Sequence, residues 1–456
     1  MKLKGFTICL LFLMLAFSLA ACASGSNSSE SAPDTSEPEP VEQSGEDTEE
    51  PEVEQYVEAI DLGGRTIRIS AWWDLTPPGE TAGERAMLER IAELEEAYNM
   101  KIEFVQVPWD EYVDTFTTSV LAGEPFADIV RMEVKWALPA ILNGLLLEID
   151  EFTDGSMDIQ NEQKYVRKIN PIAGGEYGFS HHEVNGAALH YNRDIFRQLG
   201  LPDLQELFLN GELTWQRMLD LAIEATRDLD GDGTPDVWGW SGWAAHVARN
   251  LIAANGARIA DDATGQQGLT DPRTIEALEF VQRLYNVENV VYLRSGSKSE
   301  YTEWESFLDG KSAMWIAHEW QVGDVPFDFG VVPIPNGPSG SPEATYNNGG
   351  AHAYFIPKGV EDPHIVYRIY EEMQMIPQFE DYVGQDYLES RYRTQQDIDI
   401  FLQYVNGTGV LEMEEAYPDF PFYAVIDEII EQNVSVSATV EKYKQEAQDA
   451  MDRLGQ

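Results

Sequence analysis

The sequence predicts an α/β protein divided into two lobes, and two observations carry that expectation. From Ile60 onward, stretches with a two-residue apolar period alternate with helical stripes, in the order strand, helix, strand, helix. The chain is also 456 residues long, more than one hydrophobic core ordinarily serves. Its 43% hydrophobic and 24% charged content is that of a globular chain, which excludes disorder throughout.

Before the folded part comes a segment of different character. Lys2 and Lys4 precede an apolar run from Phe6 to Leu19, and the small residues Ala20 and Ala21 lead to Cys22. The run is too short to span hydrocarbon, so residues 1–21 read as an export signal rather than an anchor helix. Leu19-Ala20-Ala21-Cys22 resembles a bacterial lipobox, which implies cleavage before Cys22 and acylation of its thiol, palmitate included. Of the two cysteines, Cys9 lies in the removed segment and Cys22 carries lipid. The mature body then holds no thiol for a disulfide or a cysteine metal site. From Ala23 to about Gln55 the chain is Ser, Pro, Glu and Asp without Lys, Arg or aromatic residues, a composition that cannot bury enough surface to fold. Residues 22–56 are therefore expected to be a self-repelling tether reaching on the order of 30 Å or more.

The first strand is expected at Thr66–Trp72. A helix follows in which Thr81 and Glu84 match a capping box and Met87, Leu88, Ile91, Leu94 and Tyr98 form one stripe, ending at Asn99. Lys101–Val107 alternates as a second strand, Asp110–Leu121 reads as a helix, Ala127–Met132 as a third strand, and Lys135–Leu142 as a short helix stopped by Gly144. Further on, Thr214 is placed to cap Trp215–Thr226. Asp271-Pro272 opens a helix faced by Ile275, Leu278, Val281 and Tyr285, and Val436–Leu454 is a polar amphipathic helix.

A formal net charge of -50 excludes nucleic acid as a partner, because no excess of Lys and Arg exists to neutralise phosphates. Signatures of enzymes are missing: there is no HExxH, GxSxG or GxGxxG, and Gly310-Lys311-Ser312 lacks the first glycine of a phosphate loop because Glu305 stands there. His181-His182-Glu183 could be read as metal ligands, but neighbours on a strand point to opposite faces, so a structural role is favoured. Asp228, Asp230, Asp232, Thr234 and Asp236, with Gly233 for the turn, have the spacing of a calcium loop. Gly239 occupies the place of its bidentate Glu, so structural Ca2+ would be held weakly or with distant oxygens. No catalytic cofactor is expected.

Of the eleven Trp residues, many stand beside polar groups at expected strand ends or loops, in the clusters Trp72-Trp73-Asp74, Trp109-Asp110, Trp238 to Trp243, and Trp315 to Trp320. A sugar offers C–H faces to aromatic planes and hydroxyls to carboxylates, so this pairing suits a carbohydrate cleft. For any single Trp a place in the core is the commoner outcome.

Phe307-Leu308-Asp309-Gly310-Lys311-Ser312-Ala313-Met314, followed by Trp320, resembles the extracellular solute-binding proteins, family 1, which are maltodextrin-binding-protein-like. Ala187 to Asp194, Leu213-Thr214-Trp215, Asn250 to Gly256, Asn347 to Gly350 before Tyr354-Phe355-Ile356-Pro357, and Pro421 to Val425 follow in that family's order. The resemblance implies the type II periplasmic-binding-protein-like fold, with three hinge crossings and a ligand cleft between lobes. It places lobe 1 at 57–186 plus 355–405 and lobe 2 at 187–348 plus 411–456. It puts Trp320 on an aromatic platform, Phe422 where the family often has Trp, Trp243 and His246 beside a cleft loop, and Asn348 at a crossing. From the first lobe, Trp72, Trp73, Asp74, Trp109 and Asp128 are the ligand-binding candidates, with capping of a strand end as the alternative role for Asp128. Lys135 stands where maltodextrin binders place an acid, so maltodextrin itself is not carried over.

The function expected is that of an exported, lipid-anchored, monomeric binding protein on the outer face of the cytoplasmic membrane, Gram-positive-like. It would pass a mono- or oligosaccharide to ABC permease subunits and catalyse nothing. The alternatives are a lipoprotein that presents ligand to a membrane sensor, and a secreted glycoside hydrolase.

Overall fold

The computed structural model describes residues 60–150, 152, 174–179, 184–341, 346–347, 352–377, 379–382, 384–405, 408–409 and 413–454. The signal segment, Cys22, the acidic tether, His181-His182-Glu183 and Asn348 lie outside these residues.

The first sheet is built from the elements expected for it. Strand β1 (Arg65–Ala71), helix α1 (Ala82–Ala97), strand β2 (Met100–Gln106), helix α2 (Trp109–Leu121), strand β3 (Ile129–Glu133) and helix α3 (Val134–Leu142) follow in order. The capping box forms, with Glu84 N donating to Thr81 Oγ1 at 3.2 Å and Thr81 N to Glu84 Oε2 at 2.9 Å. Asn99 ends this turn with φ 47°, a left-handed conformation that Asn tolerates. β1 pairs in parallel with β2 and β3, and β3 takes an antiparallel edge partner from far along the chain, β12 (His352–Phe355). The strands alternate faces: Ile67, Ile69 and Ile129 pack with Leu94 of α1, while Val130 and Met132 pack with Phe116 of α2 and Leu138 of α3.

The second sheet has the order β10-β4-β9-β5-β8, from β4 (Ala187–Asn192), β5 (Trp238–Ser241), β8 (Val291–Tyr292), β9 (Ser312–His318) and β10 (Phe329–Val332). Two short pairs accompany it, β6 (Ala260–Asp261) with β7 (Gln266–Gln267), and β11 (Tyr346–Asn347) with β13 (Thr408–Gly409). Helices α4 (Arg193–Leu199), α5 (Leu204–Leu209), α6 (Trp215–Ala225), α7 (Ala244–Ala254) and α8 (Pro272–Gln282) belong with it, and α9 (Pro363–Gln374) belongs with the first sheet. Every residue of β4 is buried, as in a strand covered on both faces. Thr214 caps α6 through Arg217 N at 3.2 Å, and Asp271 caps α8 through Arg273 N at 2.8 Å.

The lobe boundaries differ from the expected ones at two places. Helices α10 (Gln385–Arg391) and α11 (Gln395–Val405), expected in the first lobe, give Leu388, Ile398, Phe401 and Tyr404 to the second core. The reason is partly ionic: Asp397, fully buried, accepts from both Arg193 terminal nitrogens at 2.8 and 3.1 Å and from Gln205 Nε2 at 2.7 Å, which fixes α11 to α4 and α5. Conversely Met413, Ala416 and Tyr417, expected in the second lobe, pack into the cluster of α2 and α3. The chain then returns to the second lobe as α12 (Phe422–Ile430) and α13 (Val436–Leu454), although Ala450 and Met451 near the end of α13 pack on the cluster of α2 and α3. Among the described residues no helix is long and apolar enough to cross a membrane.

Strand β5 lies so close to α6 that a Cβ at Gly239 would stand 2.0 Å from the Ala222 carbonyl oxygen. Backbone cannot yield as a side chain does, so Gly239→Ala is expected to lower stability by about 1–3 kcal/mol, read as an earlier urea midpoint with unchanged slope.

Candidate functional site

Parallel strands end together, and the loops that follow them share one edge of the sheet. Trp72 follows β1, Trp109 opens α2 after β2, Trp136 sits on α3 after β3, and His352 begins β12 opposite Glu133. Their rings assemble around Trp72, with centroids 4.9 Å from Trp73, 5.1 Å from Trp109, 5.6 Å from Trp136 and 6.0 Å from His352. Trp72 is thus the half-buried hub. Trp73 and Trp109 are the exposed members, at 38% and 43%. The Arg131 guanidinium, 1% exposed, lies between the faces of Trp73 and Tyr354 at 4.9 and 5.0 Å. Asp74 is exposed beside them and accepts from Thr76 N at 2.9 Å. That bond and the Thr76 side chain hold its carboxyl below the usual range, so it stays ionised.

The second lobe offers a matching edge. Trp243 follows β5 and His318 ends β9, which is parallel to β5. Trp243 Nε1 donates to the Ser299 carbonyl at 3.0 Å, and its ring stacks on Tyr423 at 5.5 Å and meets Tyr301 edge-on at 5.1 Å. Trp320 lies near Trp304 and parallel to His318, at 5.8 and 6.3 Å. Tyr301, Trp320 and Tyr423 are about half exposed. His246, on the first turn of α7, lies 5.0 Å from His318. Burial pushes both imidazoles down, and the cation of Arg249 adds to this, leaving His318 at about 4 and both rings neutral near pH 7. Asn250 Oδ1 is a buried atom with no hydrogen-bond partner among the described residues, the kind of capacity a polar ligand can use.

Between the two edges runs a line of charges. Lys135 Nζ meets Glu133 Oε2 at 2.8 Å and Glu415 Oε2 at 2.9 Å, and it lies 5.1 Å from the centre of the Trp109 ring. Arg249 donates to Glu414 at 2.6 Å and Glu415 at 3.3 Å. Glu415 accepts both from Lys135 Nζ of the first lobe and from the Tyr423 hydroxyl of the second, and Tyr423 stacks on Trp243, so the two edges face each other.

Of the residues singled out in the sequence, Trp72, Trp73, Asp74 and Trp109 gather at one edge and Trp243, His246 and Trp320 at the other. Two do not join them. Asp128 precedes β3, at the opposite end of the strand, where Arg65 holds it at 2.6 Å and Arg68 N donates to it at 2.8 Å, so it clamps strand starts instead of facing ligand. Phe422 is 1% exposed and packs in the second core beneath the Arg249 guanidinium, 5.1 Å away. Its neighbour Tyr423 has the exposed ring. Sequence reasoning missed Tyr423, Tyr301 and the Glu133–Lys135–Glu415–Arg249 line, although the adjacency of Tyr423 to Phe422 was a usable signal.

In the acidic loop, carboxylate oxygens of Asp228, Asp230 and Asp236 lie within 4.8 Å of one another, all exposed. Asp232 instead accepts from Thr234 N at 2.7 Å. Gly231 N and Gly233 N donate to Asp228 at 2.7 and 2.8 Å and hold its carboxyl low.

An α/β chain with two lobes and aromatic edges facing each other across charged residues is the architecture of a receptor for small solutes. The chain belongs to the bacterial extracellular solute-binding protein family, which it matches over residues 78–367, more than half its length. It is 31% identical over 94 residues to the maltotriose-binding protein of Pyrococcus abyssi, a match that spans 20% of either protein. Among solved structures, an ABC substrate-binding protein of Listeria monocytogenes in complex with cycloalternan is 16% identical, with a TM-score of 0.60 over 86% of this chain and 98% of that one. The MalE domain of Bdellovibrio bacteriovorus bound to maltotriose gives 15% identity and 0.58 over 85% and 99%. UgpB of Mycobacterium tuberculosis in complex with glycerophosphocholine gives 18% and 0.62 over 85% and 99%. These likenesses establish the type II two-lobed fold.

Exposed and buried rings of the site should respond oppositely to truncation. Phe422→Ala is expected to cost about 3–5 kcal/mol of stability. Trp320→Ala should stay within about 0.5 kcal/mol of the parent, both measured by urea denaturation.

Proposed function

We propose that this chain is the extracytoplasmic receptor of an ABC importer and that a mono- or oligosaccharide binds between its lobes. The observation that carries the proposal is the facing of half-exposed rings, Trp73 and Trp109 from one lobe and Tyr301, Trp320 and Tyr423 from the other. Pyranose C–H faces stack on such rings. Asp74, Glu133 and the neutral His246 and His318 supply acceptors and donors for hydroxyls. Both cations in the line from Glu133 to Arg249 are already paired with carboxylates, so neither is left to draw an anionic solute. Contacts made from both lobes at once drive closure, and no bond is made or broken. Cycloalternan and maltotriose in the similar structures agree with a sugar, whereas the glycerophosphocholine of UgpB names the competing class. The proposal includes anchoring by a lipid on Cys22, supported by the lipobox-like residues alone.

Calcium in the loop Asp228–Asp236 is part of the same proposal. Three carboxylates brought within 4.8 Å repel one another, and a hard cation relieves that repulsion. Such an ion would act on stability.

Titration with maltotriose, mannotriose and glycerophosphocholine, followed by calorimetry and Trp fluorescence, tests the ligand class. A sugar should saturate the protein, and Trp109→Ala should weaken it about tenfold, roughly 1.4 kcal/mol. Binding of glycerophosphocholine alone would end the sugar reading. For the loop, about 1 mM calcium should raise the Tm of the parent and leave Asp230→Ala unmoved. A parent indifferent to calcium would remove the metal.

A further inference from the structure

Arg249 is carried by α7 of the second lobe, yet the carboxylates that hold it belong by packing to the first. Glu414 and Glu415 lie on the 3-10 turn Glu414–Ala416, whose neighbours Met413, Ala416 and Tyr417 share the apolar cluster of α2 and α3. Glu415 is the junction. One of its oxygens accepts from Lys135 Nζ of α3 at 2.9 Å, and the other accepts from Arg249 Nη2 at 3.3 Å and from the Tyr423 hydroxyl. Lys135 is itself paired with Glu133, and Arg249 with Glu414, so an unbroken line of ion pairs runs from β3 of one lobe to α7 of the other. The participating side chains are 25% exposed or less. Burial would raise the Glu415 carboxyl, but Arg249 and then Lys135 bring it to about 2, so it stays ionised in the neutral range.

A seam of this kind has a particular energetics. Each lobe has an apolar core, and the cluster of α2 and α3 also takes Ala260, Ala450 and Met451 from the second lobe, so the ion pairs lie beside an apolar contact between the lobes. The attraction within a buried ion pair is largely offset by the water its members give up, which leaves a small net free energy. Opening the seam returns both charges to water. Beside that apolar contact, the ion pairs can bias the balance between two arrangements of the lobes.

We propose that Glu415 is a positioning residue that latches the lobes in the ligand-free protein, joining Lys135 of the first to Arg249 of the second. Tyr423 connects the latch to the cleft, since it bonds Glu415 and stacks on Trp243. That connection rests on the binding reading given above; the latch itself does not.

Small-angle scattering of the full chain without ligand tests it. Glu415→Gln keeps the shape of the side chain and removes its charge, and its radius of gyration should exceed that of the parent. Lys135→Met should expand the protein likewise, and the double variant should expand it no further, because both changes cut one line. A folded Glu415→Gln with a scattering profile superimposable on the parent, or one that only lowers Tm, would overturn the proposal. If Glu415→Gln fails to fold, Lys135→Met carries the same expectation and the same refutation. Maltotriose, mannotriose and glycerophosphocholine are then added in turn to parent and variant. If glycerophosphocholine alone compacts the parent while the ligand-free variant remains expanded, the carbohydrate reading is at fault and the latch stands.

Discussion

The arrangement of this protein depends on the covering of both sheets by helices. A parallel strand buried on both faces has no side chain to offer a solute, so recognition is confined to the loops at the strand ends. Trp72 and Trp109 on one sheet, and Trp243 and His318 on the other, occupy those ends because β1 and β2, and β5 and β9, run in the same direction. Reversing one strand of either pair would send its ring to the far side, where Asp128 and Arg65 are found.

The same constraint explains how aromatic residues divide. Trp240 and Trp315, inside strands, are essentially buried, and Trp215 is 3% exposed on a core helix. Trp73, Trp109 and Trp320, just beyond strand ends, keep free faces. Rings of identical chemistry thus serve as core or as surface according to their distance from the last ladder bond. Trp72 does neither alone. By gathering five other rings edge-on, Tyr112 among them, it fixes the planes of the two exposed ones.

Local signals were well legible. Thr81 with Glu84, Thr214, and Asp271-Pro272 marked helix starts because capping is decided within four residues. The alternation at Thr66–Trp72 located β1, since a strand with one face per core must alternate. What could not be read was long-range. The allegiance of α10 and α11 hinges on Asp397 meeting Arg193 and Gln205, partners some two hundred positions away. The difference between Phe422 and Tyr423 is a matter of which ring the helix turns inward, and a one-residue shift on a helix rotates a side chain by about 100°. The ion line escaped notice because Lys135, Arg249 and Glu415 are unremarkable until three distant segments meet.

The pairing of β3 with β12 has a bearing on synthesis. Glu133 finds its neighbour in His352, so the first sheet waits with a bare edge while the whole middle of the polypeptide is made. A fragment ending anywhere before that strand would leave unpaired amides and carbonyls along β3, an invitation to aggregate. Neither half can be obtained by cutting the gene once, and expression of isolated lobes will require splicing distant stretches together.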